Sequence, residues 1–264
     1  GESIQFDDPF KTSAHSVEKP TQQNVDRETV ARLTEVSEQM LPVHANGSYP
    51  NPQDWERLHQ ANVERAKEAA QNGAEIVMFG DSITEAMGYN QNNLAAFKEK
   101  FGDEKPTPLG LGGDGTEQLL YRINHGEFQG QPKVAMVMIG TNDIGSLSPG
   151  QIADNTQKIV DSIQARSPNT QVLVMGVLPR PVAGDPDNSK VDATNQELSK
   201  LAREDGSVQF ANINSNFVDG SGREVPQLYQ EDGLHLAPEG YRTWAAAVEA
   251  LIRRMLAARD GYET

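Results

Sequence analysis

Glu75-Ile-Val-Met-Phe-Gly-Asp-Ser-Ile-Thr84 decides how this chain is read. An apolar run of this length, bounded by Gly73 and Gly80, has the pattern of a short strand buried on both faces, as in a parallel sheet. It breaks at Gly-Asp-Ser, where a strand should pass into a helix. A serine at that junction sits at a strand's carboxyl end and at the positive end of a helix, where developing negative charge is favoured. Ser82 is therefore a candidate nucleophile. The plainer reading is that Asp81 and Ser82 only cap the next helix.

Outward from this segment the chain alternates strands and helices. Thr107 to Leu111, Lys133 to Gly140, Gln171 to Val177 and Val208 to Ile213 read as four more buried strands. Helices are expected over about Leu94 to Phe101, Thr116 to Asn124, Pro149 to Ala165, Val191 to Glu204 and Pro238 to Ala258, the last opened by a proline suited to a first turn. Upstream, an extended arm covers residues 1 to about 20. A helix from Gln22 to Leu41 follows, with Thr21 as its cap, then a connector and a helix from Gln53 to Gln71. We expect residues 1–72 to form an arm and helical extension packed on a core of 73–264. The fold class is α/β, a three-layer α/β/α sandwich around a five-stranded parallel sheet, and the common strand order for five strands is 2-1-3-4-5. A ligand crevice then opens at the carboxyl ends of the strands, between the first and third.

Composition narrows the functions. Acidic residues outnumber basic ones 38 to 23, for a net charge of -15, a surface that repels nucleic acid and anionic membranes. No apolar run reaches membrane-spanning length, so no membrane insertion is expected. With no cysteine there can be no disulfide or thiolate nucleophile, and no histidine pair has metal-ligand spacing. No cofactor is called for. The chain starts at Gly1 rather than Met, so an upstream segment is expected to have been removed. A signal peptide would make the protein secreted or periplasmic, and a cloning leader leaves the cytoplasm open. Asn46-Gly-Ser48 is a lone glycosylation sequon, with meaning only in a eukaryotic secreted protein.

Four marked sequences fall at strand ends on one edge of the expected sheet: Gly80-Asp-Ser82, Gly110-Leu-Gly-Gly-Asp-Gly115, Gly140-Thr-Asn-Asp143 and Asp232-Gly-Leu-His235. A serine hydroxyl needs a base within hydrogen-bond reach, and the base needs an orienting partner. His235 is the candidate base and Asp232 its orienter; alternatively both only cover the start of the last helix. His15, His44, His59 and His125 lie away from the strand ends and are read as structural or surface residues. Backbone amides of Ser82 and of a glycine after the second strand, with the Asn142 side chain, could hold an oxyanion. Gly110-x-Gly112-x-x-Gly115 also matches the dinucleotide fingerprint, but it follows the second strand and lacks the acidic ribose partner.

Together the four blocks resemble the SGNH hydrolases, or GDSL-type esterases and lipases, over about Pro52 to Ala258. They are most similar to the branch of the intracellular platelet-activating-factor acetylhydrolase catalytic subunits. Trp55-x-x-x-His59, Arg122-Ile with Gly126-Glu127, Leu178-Pro-Arg180 and Gly240-Tyr241 add to that likeness. Asp143 departs from it, standing where that branch tends to carry a second asparagine. The resemblance implies a flavodoxin-like sandwich, a triad of Ser82, Asp232 and His235, and an oxyanion hole of Ser82, Gly113 and Asn142. It also implies an ester substrate. We expect a short acyl, above all acetyl, ester on a carbohydrate or other small molecule. A lysophospholipase, a thioesterase, a platelet-activating-factor-type acetylhydrolase or a non-catalytic carbohydrate-binding module are the alternatives. The loop Pro179 to Asn188 and the helices from Gln22 to Gln71 are candidates for shaping specificity or a homodimer contact, against the plainer reading as loop and surface.

Overall fold

The computed structural model describes residues 25–40, 46–181 and 185–260. The arm, Thr21, His15 and His44 lie outside them. Five strands, β1 (Ile76–Gly80), β2 (Thr107–Gly110), β3 (Val134–Met138), β4 (Gln171–Met175) and β5 (Val208–Ala211), form one parallel sheet in the order β2-β1-β3-β4-β5. The α/β sandwich and strand order expected from the sequence are those of the molecule.

Alternation along each strand sorts the core into two layers. Ile76 and Met78 of β1 face one layer, with α3 (Ser82–Tyr89), α4 (Gln91–Phe101) and α8 (Pro238–Asp260), where Phe97 and Trp244 meet edge to face. Val77 and Phe79 face the other, with α5 (Thr116–Arg122), α6 (Pro149–Arg166) and α7 (Ser189–Ser199). Both faces of β1 are fully buried, which is why its sequence is a continuous apolar run.

The extension packs against this core. Helix α1 (Arg27–Met40) lies on α6 and α5, and α2 (Pro52–Gln71) lies on β2, with Trp55, His59, Val63 and Ala66 buried. Asn51 caps α2 by accepting the Gln53 N–H at 3.0 Å, and Pro52 opens it.

Two helix ends differ from expectation. Helix α5 stops at Arg122, and Ile123–Glu127 form a wider π turn in which Gly126 takes φ +106°, a value glycine adopts without strain. That turn brings Glu127 back under Arg122. Helix α7 ends at Ser199 instead of running to Glu204, because the Arg203 N–H turns to the Val208 carbonyl at 2.9 Å and leads the chain into β5.

Gly110 fixes where α3 sits. A Cβ there would overlap the Glu85 backbone nitrogen and lie 2.5 Å from the Asp81 carbonyl, so only glycine lets β2 end against the first turn of α3.

Candidate active site

The carboxyl ends of the strands bring together what the sequence scatters over more than 150 positions. Ser82 is the first residue of α3, and Asp81 caps that helix by accepting the Ile83 N–H at 3.0 Å. Ser82 Oγ lies 2.9 Å from His235 Nε2. On the other side of the ring, His235 Nδ1 makes a short hydrogen bond to Asp232 Oδ2. An ionised carboxylate can only accept, so Nδ1 carries the proton and Nε2 is left to accept from the Ser82 hydroxyl. Partial burial raises the Asp232 carboxyl, but the His235 ring N–H and the backbone N–H groups of Leu234 and His235 outweigh it and hold the group below the usual carboxylate range. Asp232 therefore caps the turn and holds the ring at once.

Further donors lie in the loops at the strand ends. The Ser82 N–H, in the first turn of α3, and the Gly113 N–H, in a loop where Gly113 takes φ +79°, have no acceptor among the described residues. One N–H of the Asn142 side-chain amide donates to the Asp114 carbonyl at 2.9 Å, which aims the second outward from an exposed side chain. The five residues predicted for the site thus lie together at one sheet edge.

A buried ionic network fixes the loop after β2. Arg122, with no exposed surface, donates from Nε to Asp114 at 2.7 Å, from Nη1 to Glu127 at 2.6 Å and the Leu109 carbonyl at 3.2 Å, and from Nη2 to the Gly80 carbonyl at 2.6 Å. It joins the ends of β1 and β2 to the π turn. Asp114 also accepts from Trp55 Nε1 at 2.8 Å and from Asn46 Nδ2 at 2.6 Å, and Glu127 bonds the buried His59 ring at 2.6 Å. Burial pushes Asp114 up to about 6, against the pull of Arg122 and of the Trp55 and Asn46 donors. His59 is structural, as its place before β1 suggested. His125 bonds the Tyr121 carbonyl and Glu38 and stacks on Tyr121.

Several neighbours of the site were not singled out in the sequence. Glu85, one turn after Ser82, accepts the Gly112 N–H at 3.0 Å. The segment Asn46–Tyr49, read as connector, lies over the loop: Asn46 Nδ2 donates to the Gly112 carbonyl at 2.9 Å as well as to Asp114, and the Ser48 hydroxyl abuts Gly113. The sequon's amide nitrogen thus spends its hydrogens inside the fold. No local pattern marks these contacts, which join residues 27 to 68 positions apart.

Asp143 explains its own departure from the related branch. Its buried carboxylate accepts from the Thr116 N–H and hydroxyl, both at 2.8 Å, at the positive start of α5, and a Cβ on Gly115 would collide with it. A pyrophosphate would need that same helix start. The dinucleotide reading of Gly110 to Gly115 fails because the chain fills the position with its own carboxylate. Among the described residues no cluster of His, Asp or Glu is arranged to hold a metal ion, and no helix is long and apolar enough to cross a membrane.

Residues 78–243 match the model of the GDSL-like Lipase/Acylhydrolase family. The chain belongs to that family. A curated relative, the human platelet-activating factor acetylhydrolase IB subunit alpha1, is 29% identical over 208 residues, covering 78% of this chain and 86% of its own. A Streptococcus pneumoniae structure whose description names platelet activating factor superposes with a TM-score of 0.64 at 22% identity, over 84% of this chain and 99% of that one. A Geobacillus acetyl-xylooligosaccharide esterase superposes with a TM-score of 0.53 at 15% identity, over 69% and 94% of the two chains. These superpositions establish a shared fold. Hydrolysis of acyl esters is the activity of the family.

The carboxyl of Asp81, directly behind the nucleophile, gives the molecule a pH dependence. Burial pushes it up to about 7, against the Ile83 N–H it caps. A folded value above the unfolded value of about 3.9 means that the fold holds this proton more tightly, so the contribution is present in acid and is lost as pH rises through about 7. The Tm of the wild type should therefore fall, relative to Asp81→Asn, between about pH 5 and pH 8. Thermal melts of both proteins at the two ends check this, and parallel pH profiles would refute it.

Proposed function

We propose that the protein is a cofactor-independent serine esterase that removes a short acyl group, above all acetyl, from a hydroxyl ester, with an O-acetylated carbohydrate as its preferred substrate. The observation that carries this is the continuous chain from Asp232 through His235 to the Ser82 hydroxyl. His235 Nε2 takes the hydroxyl proton as Ser82 Oγ attacks the ester carbonyl. The oxyanion is held by the N–H groups of Ser82 and Gly113 and by Asn142 Nδ2. Collapse of the intermediate breaks the bond to the alcohol, which leaves with the proton from His235. His235 then deprotonates a water that attacks the acyl-enzyme, and the acid departs as Ser82 recovers its proton.

The acetyl preference is supported by the names of the relatives at 27–29% identity, which are acetylhydrolase subunits. The net charge of -15 disfavours approach to anionic lipid surfaces and leaves neutral substrates unhindered. Hydrolysis of p-nitrophenyl esters from acetate to palmitate tests the reading. We expect kcat/KM to be highest for acetate and to fall by about tenfold or more by octanoate, each added methylene having to be accommodated or excluded. A maximum at long chains would favour the lysophospholipase or thioesterase alternative, and no turnover on any ester would overturn the esterase reading.

A further inference from the structure

Ser82, Glu85 and Tyr89 recur along α3 at the spacing that places residues on one face of the helix. Beside it lies a groove of about 260 Å³ between α2 and α3, floored by Gly88 and Gly110 and walled by Tyr49, Arg65, Glu85 and Tyr89. The groove and the catalytic cleft share a boundary. A Cβ on Gly112 would lie 3.2 Å from the Tyr49 hydroxyl, 3.2 Å from Glu85 Oε1 and 3.8 Å from Ser82 Cβ, so the phenol, the acid and the nucleophile surround one point.

Tyr89 stands out. At 74% exposed it is the one large hydrophobic side chain so exposed among the described residues, and it sits at the groove's mouth. Neither its hydroxyl nor that of Tyr49 has a protein partner among the described residues. Burial pushes the Tyr49 phenol up to about 12, with the negative charges of Glu85 and Asp114 adding to the shift. It is therefore a neutral donor throughout the physiological range. Arg65 is steered over Gly88 by its bond to Asn62 Oδ1 at 3.1 Å; burial raises the Glu85 carboxyl, and the Gly112 N–H, Arg122 and Arg65 act against that rise.

We propose that this groove is a subsite for the part of the substrate remote from the ester, and that it takes a neutral pyranose ring. This deepens, and rests on, the esterase reading, because Tyr49 and Glu85 of the groove meet Ser82 around Gly112. An aromatic face at the mouth matches the apolar C–H face of a sugar ring. Within, a guanidinium with several donors, a carboxylate with two acceptors and a phenol present the planar, paired groups that vicinal hydroxyls can bond. A quaternary ammonium would also suit two tyrosines and an acid. Arg65 opposes that occupant, its charge offsetting that of Glu85 and leaving the groove near neutral.

Calorimetric titration of xylotriose, three unacetylated pyranose rings, into Ser82→Ala tests the subsite without any turnover. Saturable binding is expected, weakened by about tenfold when Tyr89→Ala is added and by about threefold with Tyr49→Phe. The Tm of each double variant should stay within about 2 °C of the parent, so that weakening is not loss of fold. Binding that survives Tyr89→Ala, absence of saturation at about 20 mM, or saturable binding of choline in place of xylotriose would each overturn the proposal. An enzyme that hydrolyses p-nitrophenyl acetate but ignores xylotriose would refute the groove and leave the esterase standing. A protein that binds xylotriose through Tyr89 but turns over no ester would do the reverse.

Discussion

Ser82→Ala is expected to lower kcat for p-nitrophenyl acetate by about 10⁴-fold or more, the scale on which removal of an activated serine acts in hydrolases that work through an acyl-enzyme. The size follows from the geometry. His235 Nε2 has its acceptor side turned to the Ser82 hydroxyl at 2.9 Å, and Asp232 fixes the tautomer from behind. Without Oγ there is no atom to carry the acyl group, and what remains is binding and the amide donors. Because Ser82 is only half-buried and follows a cap made by Asp81 rather than by itself, the substitution should leave the fold intact. Steady-state kinetics beside a thermal melt decide it. Activity within tenfold of the wild type, with an unchanged Tm, would remove Ser82 from the mechanism and leave it as a residue of the helix start.

Arg122→Ala is expected to be the most damaging single change to stability. Arg122 is wholly buried and its guanidinium has four protein acceptors, two of them the buried carboxylates of Asp114 and Glu127. Removing one member of such a set leaves uncompensated charge in the interior, at a cost of about 3–5 kcal/mol. For a chain of this size that corresponds to a fall in Tm of about 10 °C. Arg122→Lys should recover little, since one ammonium cannot reach acceptors spread over two strand ends and the π turn as the planar fork does. Activity should fall further than stability alone predicts, because Asp114 both anchors the loop after β2 and receives Asn142. Scanning calorimetry is the direct check. A Tm for Arg122→Ala within about 2 °C of the wild type would show that the network contributes nothing net.

The two expectations differ in how they could be seen beforehand. Ser82 stands out in the linear chain because an apolar run stops abruptly at Gly-Asp-Ser, and the blocks after the other strands stand out for the same reason. Arg122 does not. In sequence it is one basic residue on a helix that also carries Leu119, Leu120 and Ile123, and only the resemblance of Arg122-Ile and Gly126-Glu127 to a known branch drew notice to it. The helix end is similar: apolar spacing carries α5 on to Asn124, while the structure breaks it at Arg122, and Glu127 returns as that residue's partner.

What the sequence determined by itself is what local physics can encode. Strands buried on both faces must be apolar at every position, so β1, β3 and β4 announce themselves, and a parallel sheet fed by helices has few orders to choose from. Chain ends of those strands must then lie on one edge, which groups Ser82, the glycines after β2, Asn142 and the block of Asp232 and His235 before any coordinate is known, and the family resemblance singles out Gly113 among the glycines. The tertiary structure alone decided which polar groups meet inside. Asn46 reaches Asp114, Trp55 joins it, Asn62 holds the Gly110 carbonyl at 2.9 Å, and Tyr49 with Tyr89 frames a groove beside the nucleophile. Such pairings have no period and no fixed spacing. A buried charge or amide takes whatever partner the packing of distant elements delivers, and that choice exists only once the layers have closed.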